Sequence, residues 1–339
     1  MLVVLGAAAL VSCSKDDDVL REGEGEITFV TEMEGCLYIE TFNAGDRITI
    51  DWGDGSKKEY VSERNGFEDI TEIEFIYGID ADHTYAGKSS HRVTVKGKIK
   101  GVVFYDADIT SIDVTKCPAL EKLYCSYNYQ STSLDVSKCP ALVYLDCCEN
   151  QLTSLNISGC TALEYLYCSN TQLTSLDVSK NTALKELHCY YTQLTSLDVS
   201  RCTALEYLNC SNNQLTSLDV SGCTALEYLN CSNNQLTSLD VSGCTALEYL
   251  NCSYNQLTSL DVSKCPALEF LSCYGNQLTS LDVSKNTALH RLECYGNQFS
   301  ASAMNKIYND LPVVNNGDLR CDKLGDYSIA RNKGWYVIF

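Results

Sequence analysis

Residues Leu205 to Ala225 read LEYLNCSNNQLTSLDVSGCTA, and Leu226 to Ala246 repeat them letter for letter. Leu247 to Ala267 repeat them again with three changes. A fixed period of this kind settles the architecture before any local pattern is read. The step is 21 residues, with Leu163, Leu184, Leu205, Leu226, Leu247, Leu268 and Leu289 opening successive copies. Leu142 and Leu120 open two earlier copies, the latter with one extra residue in its loop. A degenerate copy from Ile99 keeps Val102, Phe104, Ile109, Ile112 and Val114 at the matching apolar places, which makes ten rungs.

Within a rung the pattern is L-x-x-L-x-C-x-x-N-x-L. Strand alternation sends Leu208 and Cys210 to one face and Tyr207 and Asn209 to the other. Leu215, Leu218 and Val220 return the chain across the core without a helical period, so the return is read as extended. A rung of this kind cannot bury its apolar face alone and is stable only when stacked. The pattern resembles the leucine-rich repeat over roughly residues 99–300. That resemblance implies a solenoid with a curved parallel β-sheet on its concave face, an extended convex side and little helix.

Three further columns recur. Asn128, Asn150, Asn213, Asn234, Asn255, Asn276 and Asn297 form a ladder whose amides can bond the backbone where it leaves the strand, with Thr171 and Thr192 replacing them in two rungs. A hydroxyl carries one donor where an amide carries two, so those two rungs are expected to be looser. Sixteen of the 20 cysteines occupy two repeat positions, Cys125 to Cys294 at the inward place and Cys117 to Cys265 in a second column where Asn181 and Asn286 substitute. Parallel rungs lie ~4.8 Å apart, too far for the ~3.8 Å between the Cβ atoms of a disulfide, so free buried thiols are expected. Zinc needs a short-spaced cluster that the sequence lacks. Asp135, Asp177, Asp198, Asp219, Asp240, Asp261 and Asp282, with Asn156, are read as braces for local backbone amides. No metal or cofactor is implied.

The positions that vary are those facing the concave side. One column reads Lys122, Tyr144, Tyr165, Glu186, Tyr207, Tyr228, Tyr249, Phe270, Arg291, and the next reads Tyr124, Asp146, Tyr167, His188, Asn209, Asn230, Asn251, Ser272, Glu293. Tyr127, Tyr190, Tyr191, Tyr254, Tyr274 and Tyr295 sit at strand exits. Tyrosine offers rigid amphipathic area at low entropy cost, and identical rings can also pack on each other along a sheet. The rung from Leu184 breaks the pattern with Lys185, Glu186, His188, Tyr190, Tyr191 and Thr192, and marks the place to look for a hot spot. The candidate ligand-binding set is thus Tyr144, Tyr165, Tyr167, Lys185, Glu186, His188, Tyr190, Tyr191, Tyr207, Tyr228, Tyr249 and Phe270. The four histidines lie in no nucleophile or zinc-protease motif, and no phosphate-cradling glycine loop is present. The chain is therefore not expected to be an enzyme. A net charge of −19 argues against nucleic acid and anionic lipid as direct partners.

Before the rungs, Ile27–Val30, Leu37–Ile39, Ile48–Ile50 and Val93–Val95 alternate with period two between Gly, Asn and Asp turns, which argues a β-sandwich over 26–98. Asp51-Trp52-Gly53-Asp54-Gly55, with His83-Thr84-Tyr85 and Arg92-Val93-Thr94-Val95, resembles the PKD family of immunoglobulin-like domains. Such domains serve as spacers or adhesive modules. The sequence departs from that family in a long insert, Ser62 to Asp82. This domain is expected to cover the exposed edge of the first rung. After Phe299 the period stops. Residues 301–339 are expected to form a cap, with a helix from Ala303 to Leu311 capped by Ser302, a short helix from Asp326 to Asn332, and a last strand Trp335–Phe339.

At the N-terminus, Leu2 to Val11 is apolar but too short to span a bilayer. The run Leu10-Val11-Ser12-Cys13 resembles a lipoprotein lipobox, with residues 1–13 as signal peptide, Cys13 as the lipidated residue and 14–25 as a tether. Ser14-Lys15-Asp16-Asp17-Asp18 resembles an acidic export signal. These resemblances imply a monomeric, lipid-anchored protein on the outer face of an outer membrane, touching the membrane only through its anchor. They imply that it binds a protein, host proteins included, or else serves as a glycan-binding accessory lipoprotein. Replacing Asp16 to Asp18 with Ala is expected to protect the chain from protease added to intact cells, and Cys13→Ala to release it from membranes. Unchanged shaving and fractionation would refute both assignments.

Overall fold

The computed structural model describes residue 20 and residues 24–61, 78–104 and 107–339. Residues 1–13, expected to be a signal peptide ending at Cys13, most of residues 14–25, expected to be a tether, and most of the insert from Ser62 to Asp82 lie outside the described residues.

The first six strands are β1 (Gly25–Thr31), β2 (Gly35–Asp51), β3 (Lys57–Val61), β4 (Gly78–Tyr85), β5 (His91–Phe104) and β6 (Ile109–Lys116). The long strands β2 and β5 shift register near Asn43 and change partners along their length within one continuous sheet. Their inner halves pair with each other and with β3 and β1, while their outer halves pair with each other and with β4. Phe29 meets Phe104, ring centroids 4.7 Å apart, and Trp52 stacks on His83 at 4.9 Å. Asp51 and Asp54 brace the turn between β2 and β3: Gly53 N–H donates to Asp51 Oδ1 at 3.0 Å and Ser56 N–H to Asp54 Oδ1 at 2.9 Å. His83 Nε2 lies 2.7 Å from Asp54 Oδ2.

The rungs begin inside β5. Its residues Gly101–Val103 pair in parallel with β7 (Lys122–Tyr124). The concave sheet then continues through β9 (Tyr144–Asp146), β11 (Tyr165–Tyr167), β12 (Glu186–His188), β13 (Tyr207–Asn209), β14 (Tyr228–Asn230), β15 (Tyr249–Asn251), β16 (Phe270–Ser272) and β17 (Arg291–Glu293). On the convex side β8 (Ser133–Asp135) pairs with β10 (Ser154–Asn156), and single bridges join Asp198 to Asp219 and Asp219 to Asp240. The return is extended, in keeping with its β-branched, aperiodic sequence.

The edge of the first rung is covered on both walls. On the concave side β2 pairs with β5 antiparallel from Ile39 to Asn43, and on the convex side β1 pairs with β6. The approach is close enough that a Cβ on Gly25 would lie 2.7 Å from Cys117 Sγ. One apolar core runs unbroken from Ile27 and Trp52 to Trp335.

At the other end the helix α1 (Ala301–Asp310) starts two residues earlier than the sequence suggests, because Ser300 rather than Ser302 accepts the Ala303 N–H. Sequence reading missed β18 (Gly317–Arg320), which pairs in parallel with β17 and adds an eleventh turn to the ten expected. The short helix α2 (Ser328–Asn332) follows, and β19 (Trp335–Ile338) pairs in parallel with β18.

The asparagine ladder ties each rung to the one before. Asn234 Nδ2 donates to Cys210 O in the preceding rung and to Cys231 O and Ser232 O in its own, while its Oδ1 accepts the Leu215 N–H. Asn213, Asn255, Asn276 and Asn297 repeat the inter-rung pair of bonds. At Asn150 the oxygen has no partner. The extra residue in the loop before it turns the Ser131 N–H onto Asn128 O instead. Thr171 and Thr192 keep a bond to the carbonyl three residues back. In the second column the thiols are donors as well as fillers: Cys160 reaches Val136 O at 3.1 Å and Cys244 reaches Val220 O at 3.4 Å. Asn181 and Asn286 substitute there because an amide makes the same bond, to Ile157 O at 3.2 Å and Val262 O at 2.9 Å.

The amides of Leu152 and Leu173, which lie opposite Thr171 and Thr192, are expected to exchange hydrogen faster than those of Leu215 and Leu236. Thr171→Asn should slow Leu152. Asn234→Ala leaves buried carbonyls and an amide unpaired and should cost at least ~2 kcal/mol in a denaturation experiment.

Candidate binding face

The concave strands from β7 to β15 present their two outer side chains half-buried and their central leucine buried, while in β16 and β17 Ser272 and Glu293 are buried as well. With one side chain per rung in register, identical rings are brought within van der Waals reach. Tyr207, Tyr228, Tyr249 and Phe270 stack at 4.0, 4.2 and 4.3 Å between successive centroids, nearly parallel. The Arg291 guanidinium closes that end, 5.0 Å over Phe270.

Towards the N-terminus the stack changes column at His188. Glu186 occupies the first column there, so continuity passes through the second. His188 stacks on Tyr207 at 4.5 Å on one side and on Tyr167 at 4.6 Å on the other. Tyr167 then meets Tyr144 at 5.2 Å, and Tyr144 meets Tyr124 at 4.6 Å. Tyr165 lies beside this line, 6.0 Å from Tyr144. The Tyr167 hydroxyl donates to Glu186 Oε2 at 2.7 Å, and His188 Nε2 lies 3.6 Å from the same oxygen.

The candidate residues thus divide. Tyr144, Tyr167, His188, Tyr207, Tyr228, Tyr249 and Phe270 form one continuous aromatic ladder, with Tyr165 and Glu186 at its side. Lys185 precedes its strand and is paired with Glu164 at 2.8 Å, outside the two concave columns. Tyr190 and Tyr191 belong to the strand-exit edge, at 5.9 Å and edge to face. Sequence reading left a charged end unassembled. Glu293, buried, takes Arg291 Nη2 at 2.6 Å and Ser272 Oγ at 3.2 Å, and lies 3.6 Å from Arg320. Arg320 and Asp318 come from β18, which the repeat pattern does not predict.

The strand exits carry the strongest backbone signal. Each rung turns off its strand through a residue with positive φ, and Asn170, Asn212, Asn233, Gly275 and Gly296 suit that conformation. Tyr127, Tyr191 and Tyr254 adopt it too, with φ of 60°, 50° and 49°. Left-handed backbone costs ~1–2 kcal/mol for an ordinary side chain. Their N–H groups are held by the next rung, to Cys148 O, Ser211 O and Tyr274 O.

Desolvation between two rings holds the His188 imidazolium below its ordinary pKa, against the opposing pull of Glu186 and Asp146. In the unfolded chain the group binds its proton more readily. Stability is therefore expected to fall as pH drops through about 6.5 towards the lowered folded value, by at most ~1.4 kcal/mol per pH unit. His188→Phe should keep the stack and flatten this component of a Tm-against-pH curve. An unchanged curve would refute the assignment.

The model described as Leucine Rich repeats (2 copies) matches residues 140–181, 182–222 and 224–265. No curated protein matches the chain by sequence. Among solved structures, the functional domain of InlJ from Listeria monocytogenes, described as including a cysteine ladder, is 34% identical with a TM-score of 0.57 and covers 69% of this chain and 56% of its own. A leucine-rich-repeat protein of Leptospira interrogans is 28% identical with a TM-score of 0.55, covering 58% and 54%. The chain thus spans little more than half the length of these two relatives. The internalin InlF of Listeria monocytogenes shares the fold at 19% identity and a TM-score of 0.53, over 71% and 86%. Among the described residues no helix is long and apolar enough to cross a membrane. Its 21-residue rungs, inward leucines, cysteine columns and asparagine ladder make this chain a leucine-rich-repeat protein, similar to the functional domain of InlJ and to the Leptospira interrogans protein.

Proposed function

We propose that the protein is a surface-displayed binding protein that engages a protein ligand through its concave face. Curved solenoids offer extended concave binding surfaces, and leucine-rich-repeat solenoids as a family are binding scaffolds rather than enzymes. The observation that carries the choice of ligand is the stack itself. Rings 4.0–4.3 Å apart cover each other's faces, so a sugar ring has no open face to pack on along Tyr207, Tyr228 and Tyr249. What remains towards solvent is a comb of phenol edges and hydroxyls beside Asn209, Asn230 and Asn251. Such a comb suits the mixed polar and apolar contacts of a protein interface.

In this reading Cys13 carries the lipid anchor at an outer membrane. The N-terminal strands, read as a PKD-like module, hold the solenoid away from the surface. The reading draws support from the lipobox-like sequence, from the Trp52–Gly55 turn and from the similarity to the functional domain of InlJ.

The test is binding of the full chain to protein and glycan arrays, beside a variant carrying Asn230→Arg and Asn251→Arg. These substitutions place long side chains across the middle of the face and leave the rings in place. Protein binding that falls at least about tenfold in the variant is expected, as for blocking the centre of an interface. Glycan binding alone, or protein binding indifferent to the substitutions, would overturn the proposal.

A further inference from the structure

Among the described residues, the three most exposed tyrosines of the rungs are Tyr127, Tyr191 and Tyr254, at 54, 57 and 53%. They are also the three tyrosines with left-handed backbone. Five sister rungs fill the same place with Asn or Gly, residues that meet the turn with less strain, and one fills it with Glu149. Strain retained at rings that stay more than half exposed points to a functional surface. Each of the three is braced edge to face by a second tyrosine: Tyr129 at 6.5 Å, Tyr190 at 5.9 Å and Tyr274 at 4.8 Å. Such bracing limits the rotamers of an exposed ring and reduces what binding would otherwise cost in entropy.

Their spacing is regular. They stand in the rungs opened by Leu120, Leu184 and Leu247, three rungs apart each time, or about 14 Å at the ~4.8 Å of adjacent strands. Four residues of extended polypeptide cover ~13 Å, and residues four apart project from the same side of a strand. A peptide lying along the solenoid axis can therefore meet successive tyrosine pairs with every fourth side chain.

The charge of the face selects the partner. From the rung of Tyr127 to Phe270, the two concave columns and the exit positions carry the carboxylates of Asp146, Glu149 and Glu186 against one lysine, Lys122. Tyrosine faces and carboxylates together favour cations: aromatic faces attract guanidinium and ammonium groups, and electrostatic complementarity sets orientation and encounter.

Building on the concave-face reading above, we infer that the strand-exit edge, anchored by the Tyr127–Tyr129, Tyr190–Tyr191 and Tyr254–Tyr274 pairs, is the contact line for an extended cationic polypeptide that lies along the solenoid axis.

The experiment selects peptides from a randomised 16-residue display library on the immobilised full chain. The enriched peptides are then measured against a variant carrying Tyr127→Asn, Tyr191→Asn and Tyr254→Asn, and the chain and variant are compared on a glycan array. Asn is the residue of sister rungs, so the variant is expected to fold with a raised Tm. The expected result is enrichment of Lys- and Arg-bearing peptides that bind the variant at least about tenfold more weakly. A purely structural role for the tyrosines predicts a lowered Tm, and that result would overturn the inference. Neutral or acidic consensus peptides would also overturn it, as would equal affinity for the variant. Glycan binding that depends on these tyrosines would do the same. Peptides that bind the variant equally but are lost on Asn230→Arg with Asn251→Arg would leave the concave-face reading standing while this inference fails. No peptide enrichment together with an empty protein array would sink both.

Discussion

The structure depends on a buried side-chain amide that recurs in every rung opened by Leu120 to Leu289 except the two that carry Thr171 and Thr192 in its place. Each ladder asparagine lies where the chain leaves the concave strand and bonds backbone groups of two consecutive rungs. An unpaired polar group at that depth is costly, so the bond sets the position of one rung on the next. Register follows from it. Leucine stacks on leucine, thiol on thiol and tyrosine on tyrosine because the amide tolerates little sliding. Where the loop grows by one residue, before Asn150, the backbone N–H finds another acceptor and the amide oxygen is left alone. The second cysteine column obeys the same rule more weakly, its thiols donating to carbonyls of the preceding rung, and burial pushes the Cys160 and Cys244 thiols up to about 12. These thiols are therefore poor nucleophiles, and their part is to fill space and pair backbone.

The same register shapes what the concave face can do. Strands one rung apart bring identical rings into contact whether or not a ligand exists, so part of the tyrosine column is accounted for by self-packing. Its hydroxyls and edges face outward while its ring faces are occupied. Glu186 interrupts that packing, and the stack passes to the neighbouring column through His188. The rung from Leu184 is thus a structural joint as well as a break in the repeat. The strand-exit tyrosines are different in kind, because their rings stay exposed and their backbone is held in a conformation that suits asparagine or glycine better.

A stack of parallel strands leaves two open ends, and the chain closes them differently. At the N-terminal end β5 belongs to both the antiparallel region and the first rung, so β2 and β1 cover the concave and convex walls at once. At the C-terminal end β18 and β19 extend the parallel sheet by two strands while α1 covers the core with Met304, Ile307 and Tyr308. The pairing of the buried Glu293 with the half-exposed Arg291 and Arg320 is a product of that extension, since one partner comes from a rung and another from the cap.

The period, the inward leucines and thiols, the extended convex side and the asparagine ladder were legible in the sequence, because each follows from residue type at a fixed spacing. The aromatic columns were legible for the same reason, though not the order of contact within them. Whether His188 meets Tyr207 or Tyr190 depends on side-chain packing between rungs, and one-dimensional spacing does not encode it. β18 was missed because Gly317–Arg320 carries no repeat signature and is a strand only by virtue of the edge offered by β17. The positive φ of Tyr127, Tyr191 and Tyr254 is likewise imposed by hydrogen bonds to the next rung, against the preference of the residue itself. Local chemistry at a fixed step determined the scaffold, and contacts between distant residues decided how its rings stack, how its ends close and which tyrosines stand exposed.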